Sequence, residues 1–250
     1  MLPPERILTV WRKFDRFPMD TLTKAWYHQF GTKRKQRNVT LMKEHREQYG
    51  IAGNCFDLAI WLLDEFQKEG IEAYPIGSDM GTPEAHAAVI ALDNKGNRYL
   101  CDLGDQWIEP ILLEANSEDF TEELLEGFFP GAKVKVSNQV SSVEIQYHRP
   151  NGKVSIQGYH LSPIEMSEFL DAAEFSQNYI YPRPLVECRV PFQSEVGHWE
   201  FNDWNSFYSL NTGLIEERKL ETIEEWADRI NERTGYDLSF VKDALNLYKS

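Results

Sequence analysis

Cys55, His86 and Asp102 are the residues whose side chains could together run nucleophilic chemistry. A cysteine attacks as its thiolate, and the positive end of a helix dipole or a nearby imidazolium stabilises that form. A base must then lie within hydrogen-bond reach of the sulfur, and a third group must orient the base. The sequence supplies these parts in order: Cys55 opens a helical stretch, His86 begins an apolar strand, and Asp102 ends the next strand. Cys55 and His86 each have a plainer reading, as a thiol packed in an apolar stripe and as a hydrogen-bonded core histidine. Asp102, between Cys101 and Leu103, is harder to explain that way, because an unpaired buried charge is costly. The three together are far less expected by chance than any one of them.

The elements that must position them are legible. Asn54 is a good helix N-cap, and Asp57 falls in the first turn, where the dipole favours an anion. Cys55, Leu58, Ala59, Leu62, Leu63 and Phe66 recur at helical spacing, and Gly70 ends the helix. Strands are predicted over 71–77, 85–92 and 98–103, with a hairpin turn at Asp93-Asn94-Lys95-Gly96-Asn97 between the last two. If the paired residue numbers sum to 188 or 190, His86 and Asp102 share a face of the sheet. An odd sum would separate them. Cys101 alternates to the other face, and Cys188 lies in an apolar strand with Val186 and Val190, so both read as structural. His28, His45, His148, His160 and His198 show no pattern that marks them as catalytic.

Further along, residues 4–48 read as mostly helical with breaks near Pro18 and Gly31-Thr32, and 117–130 as an acidic helix. Strands are predicted from Lys133 to about Leu161, with a turn at Pro150-Asn151-Gly152. A helix over 163–175 follows, capped by Ser162. Strands over 185–190, 199–204, 207–210 and 213–218 come next, then helices over 222–233 and 239–248. Helices, then strands, then a helical end is an α+β order rather than alternating βαβ.

The chain has 250 residues, 42% of them apolar, and a net charge of −14, a composition that is globular and unsuited to phosphate backbones. Nucleic acid is therefore not an expected partner. Residues 1–50 hold 11 Lys and Arg against 5 Asp and Glu, and the remainder 15 against 35. The basic run Lys33-Arg34-Lys35-Gln36-Arg37 reads as a solvated face or as a contact for an anionic cofactor or partner. Three cysteines make no disulfide scaffold, the first residues have no apolar targeting segment, and no stretch is long enough to span a bilayer. A cytoplasmic protein without membrane contact is expected. GxGxxG, P-loop, HExxH, CxxC and GxSxG motifs are absent, so no bound metal and no nucleotide or dinucleotide cofactor is expected.

The segments Ala52-Gly53-Asn54-Cys55, Ala85-His86-Ala87 and Tyr99-Leu100-Cys101-Asp102-Leu103-Gly104 resemble the arylamine N-acetyltransferases. In that family a Gly-Gly-x-Cys turn opens a helix, a strand histidine follows, and an aspartate comes next in an Asp-x-Gly context. Here the two intervals are 31 and 16 residues. The likeness continues through Trp107–Leu113, Ser162–Phe169, Asn178-Tyr179, Pro182-Arg183-Pro184 and Thr222–Leu238, covering roughly residues 50–245. Asp105-Gln106 stands where the family has Phe-Gly, Ala85 where it has a glycine, and Ile51 where it has an arginine.

The resemblance implies a papain-like α+β cysteine-triad fold. A helical region over 1–70 would end in the nucleophile helix, a β-rich part over 71–160 would carry His86 and Asp102, and 161–250 would form a C-terminal sheet with helices. The site would lie in the cleft between the first two parts. It implies a ping-pong acyltransferase that passes an acyl group, by family acetyl, from acyl-CoA to a small-molecule amine through acyl-Cys55. CoA phosphates would need cations, for which Arg98, Lys133 and Lys135 are candidates beside the basic N-terminal residues. Two alternatives stand. A transglutaminase-like amidase, peptidase or amide-forming enzyme could use the same triad, and a non-catalytic binding module could keep the scaffold.

Overall fold

The computed structural model describes residues 1–31, 35–139 and 141–249. Thr32, Lys33 and Arg34, which carry part of the predicted helix break and of the basic run, lie outside the described residues. The N-terminal part is helical: α1 (Glu5–Trp11), a 3-10 turn at Arg12–Phe14, the two-residue strand β1 (Met19–Asp20), α2 (Leu22–His28), α3 (Val39–Tyr49) and α4 (Cys55–Lys68). A four-stranded sheet follows in the order β2 (Ala73–Ser78), β3 (His86–Leu92), β4 (Arg98–Cys101) and β5 (Ile111–Leu112). A second sheet is a meander of β6 (Leu125–Phe129), β7 (Ala132–Asn138), β8 (Ser142–His148) and β9 (Val154–His160). After α5 (Met166–Asn178) come β10 (Leu185–Phe192), β11 (Glu195–Asn202), β12 (Asn205–Leu210) and β13 (Gly213–Glu216), with β1 added beside β10. Helices α6 (Ile223–Thr234) and α7 (Leu238–Lys249) close the chain. Every strand pair is antiparallel, and the α+β class read from the sequence holds.

Two apolar cores hold these layers. In the larger, Phe56, Leu58, Leu62 and Phe66 of α4 pack on Val89, Ile90 and Leu100 of the first sheet, and the cluster continues to Val134 and Ile145 of the second. The other lies between the third sheet and the helices: Val186, Trp199 and Phe201 meet Trp226, Ile230 and Phe240. Cys188 is buried there, as the sequence suggested. Among the described residues no helix is long and apolar enough to cross a membrane.

Three sequence expectations are corrected. Residues 117–130 form turns and then β6, not a helix. Leu124, Leu125, Phe128 and Phe129 match a helical period, but Gly127 is left-handed at φ 83° and Pro130 follows, and pairing with β7 prevails. The helix expected over 163–175 starts at Met166 and has no side-chain cap; Ile164 N–H bonds Pro75 O instead, which keeps 162–165 extended beside β2. The strand predicted over 199–204 runs from Glu195 to Asn202, because the charged 195–198 stretch pairs with β10 while Asp203 and Trp204 make a left-handed turn.

Candidate active site

The start of α4 is built around a buried ion pair. Asn54 accepts hydrogen bonds from the Phe56 and Asp57 amides, and Asp57 Oδ2 accepts one back from the Asn54 amide, closing a capping box. The same Oδ2 meets Arg37 Nη2 at 2.8 Å, with both side chains fully buried. Arg37 Nη2 also donates to Ala52 O at 2.9 Å, and Gln36 donates to Asp57 Oδ1 at 2.6 Å. Arg37 is therefore neither a solvated charge nor a contact for an anionic ligand, which corrects both readings of the basic run at that position. Gly53, at φ 131°, leaves the room: a Cβ there would stand 2.2 Å from Asp57 Oδ2 and 2.3 Å from Arg37 Nη2. This frame presents Cys55, partly exposed, as the first residue of the helix.

The hairpin register decides the rest. Val89 pairs with Cys101 and Ile90 with Leu100, a sum of 190, and Gly96 is left-handed at φ 81°. His86 and Asp102 are therefore diagonal neighbours on one face, one of the two arrangements compatible with a triad. His86 Nε2 lies 2.7 Å from Asp102 Oδ2. Asp102 is fully buried and also accepts from Tyr159 Oη at 2.9 Å and from the Asp105 amide at 3.0 Å. Cys55 lies close enough to the His86 ring to favour its charged form. Gly104 sits among all three: a Cβ there would meet Cys55 Cβ at 2.7 Å, His86 Cε1 at 3.0 Å and Asp102 Oδ1 at 3.3 Å. The structure thus brings Cys55, His86 and Asp102 together.

Burial works against charge on the His86 ring, but Asp102 and Asp105, together with its bond to Asp102 and the nearby Cys55, outweigh that and raise it well above its usual value. Asp105 Oδ1 is 3.7 Å from His86 Nε2. Burial lifts Asp105 to about 6; Asp102 adds to the rise and His86 opposes it. Burial also raises the thiol of Cys101, and that of Cys188 to about 12, which keeps both inert. Lys24, buried and donating to Ser176 O and Oγ, is lowered by burial but feels the opposing fields of Cys55, Asp57 and Asp20.

Sequence reasoning missed Tyr159, Asp105 and Gly104 as parts of the site. Tyr159 had a faint signal, an aromatic residue on the inward face of a strand that is otherwise mostly exposed. Of the proposed phosphate-binding cations, Arg98 is engaged by Glu114, and Lys133 by Glu126 at 2.6 Å. A cavity of about 400 Å³ lies between the second and third sheets, and none of Cys55, His86 and Asp102 lines it. Asp105 is on its wall, Arg149 and Lys153 supply positive charge, and Glu187, His198 and Glu200 line the face of β10 and β11.

Solved structures share this architecture. An arylamine N-acetyltransferase from Mycobacterium marinum superposes with a TM-score of 0.73 at 11% identity, covering 96% of this chain and 90% of that one. The chain has the arylamine N-acetyltransferase fold. The Salmonella typhimurium enzyme gives a TM-score of 0.70 at 12% identity over 93% of this chain and 86% of that one. The M. marinum enzyme in complex with CoA gives 0.72 at 11% identity over 96% and 90%. No protein-family model matches the sequence, and comparison with curated proteins gives no match.

Proposed function

We propose that the protein is a cysteine-dependent acyltransferase that moves an acyl group, by analogy acetyl, from acyl-CoA to a small-molecule amine. The observation that carries this reading is the line Cys55–His86–Asp102 at a helix N-terminus, in a fold shared with arylamine N-acetyltransferases, one of which is described in complex with CoA.

Despite the burial of its ring, His86 is raised well above its usual value by Asp102 and Asp105, which favours a protonated ring beside the Cys55 sulfur. The Cys55 thiolate attacks the thioester carbonyl, forming a C–S bond and an oxyanion. The amides of Asn54, Phe56, Asp57 and Leu58 are already bonded to Asp57, Asn54 or the helix backbone, whereas among the described residues the Cys55 amide has no acceptor. That N–H is the donor available to the oxyanion. Collapse expels CoA as a thiolate, which takes the proton from His86 and leaves acyl-Cys55. The amine then attacks the acyl carbonyl, neutral His86 accepts its proton, and Cys55 departs as thiolate. Asp102 holds the ring in register throughout, and Tyr159 and the Asp105 amide hold Asp102.

Arg149 and Lys153 are the cations next to the cavity that a phosphate could reach, in place of Arg98 and Lys133. The thiol-dependent amidase and the non-catalytic module draw no comparable support, since the fold match is to acyltransferases and the triad is intact. The test is CoA release from acetyl-CoA with a panel of aromatic amines and hydrazines. Activity should vanish in Cys55→Ser and persist in Cys101→Ala and Cys188→Ala; turnover retained by Cys55→Ser would end the mechanism.

A further inference from the structure

The third sheet presents a second imidazole–carboxylate group that the proposed transfer chemistry does not use. Glu187 of β10 and Glu200 of β11 are directly opposite in the antiparallel ladder. His198 stands two residues before Glu200, hence on the same face and diagonal to Glu187. That face turns away from the apolar core, which takes Val186, Cys188, Trp199 and Phe201 from the alternate positions, and looks into the 400 Å³ cavity.

Two like charges directly opposite each other destabilise a sheet unless a cation joins them. Arg149 is on the same cavity wall, but among the described residues it makes no ion pair with either carboxylate. His198 deepens the anomaly. Its side chain is about nine-tenths buried, Nε2 is 3.5 Å from Glu187 Oε1, and that nitrogen has no hydrogen-bond partner. One imidazole nitrogen and two carboxylate oxygens, all within 4.8 Å of one another, converge on one point. Donors bound tetrahedrally to zinc stand about 3.4 Å apart, given metal–ligand distances near 2.1 Å, so small side-chain rotations close the site.

We propose that Glu187, His198 and Glu200 form a site for a divalent transition-metal ion of the zinc class, with its open position facing the cavity. The donor set is one nitrogen and two oxygens, which suits Zn²⁺ and Co²⁺ better than the all-oxygen preference of Mg²⁺ or Ca²⁺. The sequence showed no metal-ligand spacing here, because the ligands come from two strands and meet only through their register. An ion there would share the cavity with Asp105, and its free position would take an oxygen or nitrogen donor of whatever occupies that cavity.

The test is Co²⁺ titration of the metal-free Cys55→Ser protein, followed by visible absorption; this background removes the triad thiol as a competing ligand and makes the result independent of acyl transfer. The expected result is one Co²⁺ per chain, with d–d bands of a four- or five-coordinate site, no sulfur charge-transfer band, and displacement by Zn²⁺. His198→Ala and the isosteric Glu200→Gln should each weaken binding by more than about tenfold, and added Zn²⁺ should raise the melting temperature of the parent but not of either variant. Absence of the bands, or binding unchanged in both variants, would overturn the proposal.

Discussion

The molecule carries two histidines beside pairs of carboxylates, and they end in opposite states. His86 has a carboxylate oxygen 2.7 Å away, and that carboxylate is itself held by Tyr159 and the Asp105 amide. The ring rises well above its usual value despite its burial. His198 has its nearest carboxylate oxygen at 3.5 Å, no hydrogen bond at Nε2, and Arg149 close enough to matter; burial first, then that guanidinium, holds it at about 4. Composition does not separate the two clusters, since each is one imidazole and two carboxylates. The difference is how fully the carboxylates are satisfied by other donors. Asp102 has both Tyr159 and the Asp105 amide, so it orients and charges its histidine. Glu187 and Glu200 face each other instead: Glu200 accepts from Asn202 Nδ2 at 2.9 Å, but burial still raises both, and Glu200 adds to the rise at Glu187.

The largest break in this comparison should come from Asp102→Asn. It keeps the shape and removes the charge, so His86 should fall toward its ordinary value and kcat/KM should drop by roughly 10²–10⁴-fold, measured as CoA release across pH. A drop under tenfold would mean that Asp102 does not orient the base. Next, Arg37→Ala leaves Asp57 buried without its cation under the nucleophile helix. Unfolding free energy should fall by about 3–5 kcal/mol, read from urea midpoints. A change under about 1 kcal/mol would show that the helix start does not rest on this pair.

Asp105→Asn sharpens the contrast through pH. Because burial raises Asp105 to about 6, its stabilising contribution is complete below the unfolded value of 3.8 and is lost as pH rises toward and through 6. The variant should lack that loss and gain about 1 kcal/mol relative to the parent between pH 4.5 and pH 7, allowing for the partial exposure of the side chain. His86, also raised, loses its contribution in the same direction in both proteins, so it cancels in the difference to the extent that its shift is unaltered. The smallest effect belongs to the other cluster. With chelator present, Glu200→Gln relieves a like-charge pair and should leave stability unchanged or raise it by up to about 1 kcal/mol. A clear loss would mean that the charge of Glu200 is already compensated in the metal-free protein.

Much of this was legible in the sequence where local chemistry decides. Asn54, Asp57 and Gly70 marked both ends of α4 through capping, and the turn at 93–97 limited the hairpin to registers that could be checked. The triad followed from those two elements and the family resemblance. What stayed hidden depends on contacts between distant segments. Arg37 looked like one charge in a basic run, and only its position 20 residues before Asp57, folded back under the helix, makes it a buried partner. Residues 117–130 carried a helical pattern that strand pairing overrode. Tyr159 and the Glu187–His198–Glu200 group belong to strands whose alternation is readable, but whose neighbours are set by sheet order.

The central claim is that Cys55 accepts the acyl group from CoA. It is tested most directly by intact mass after mixing the protein with acetyl-CoA in the absence of an amine, beside Cys55→Ser. The account predicts the gain of one acetyl group, located on Cys55 by fragmentation and absent from the variant. No gain in the parent protein, or the same gain in the variant, would contradict it.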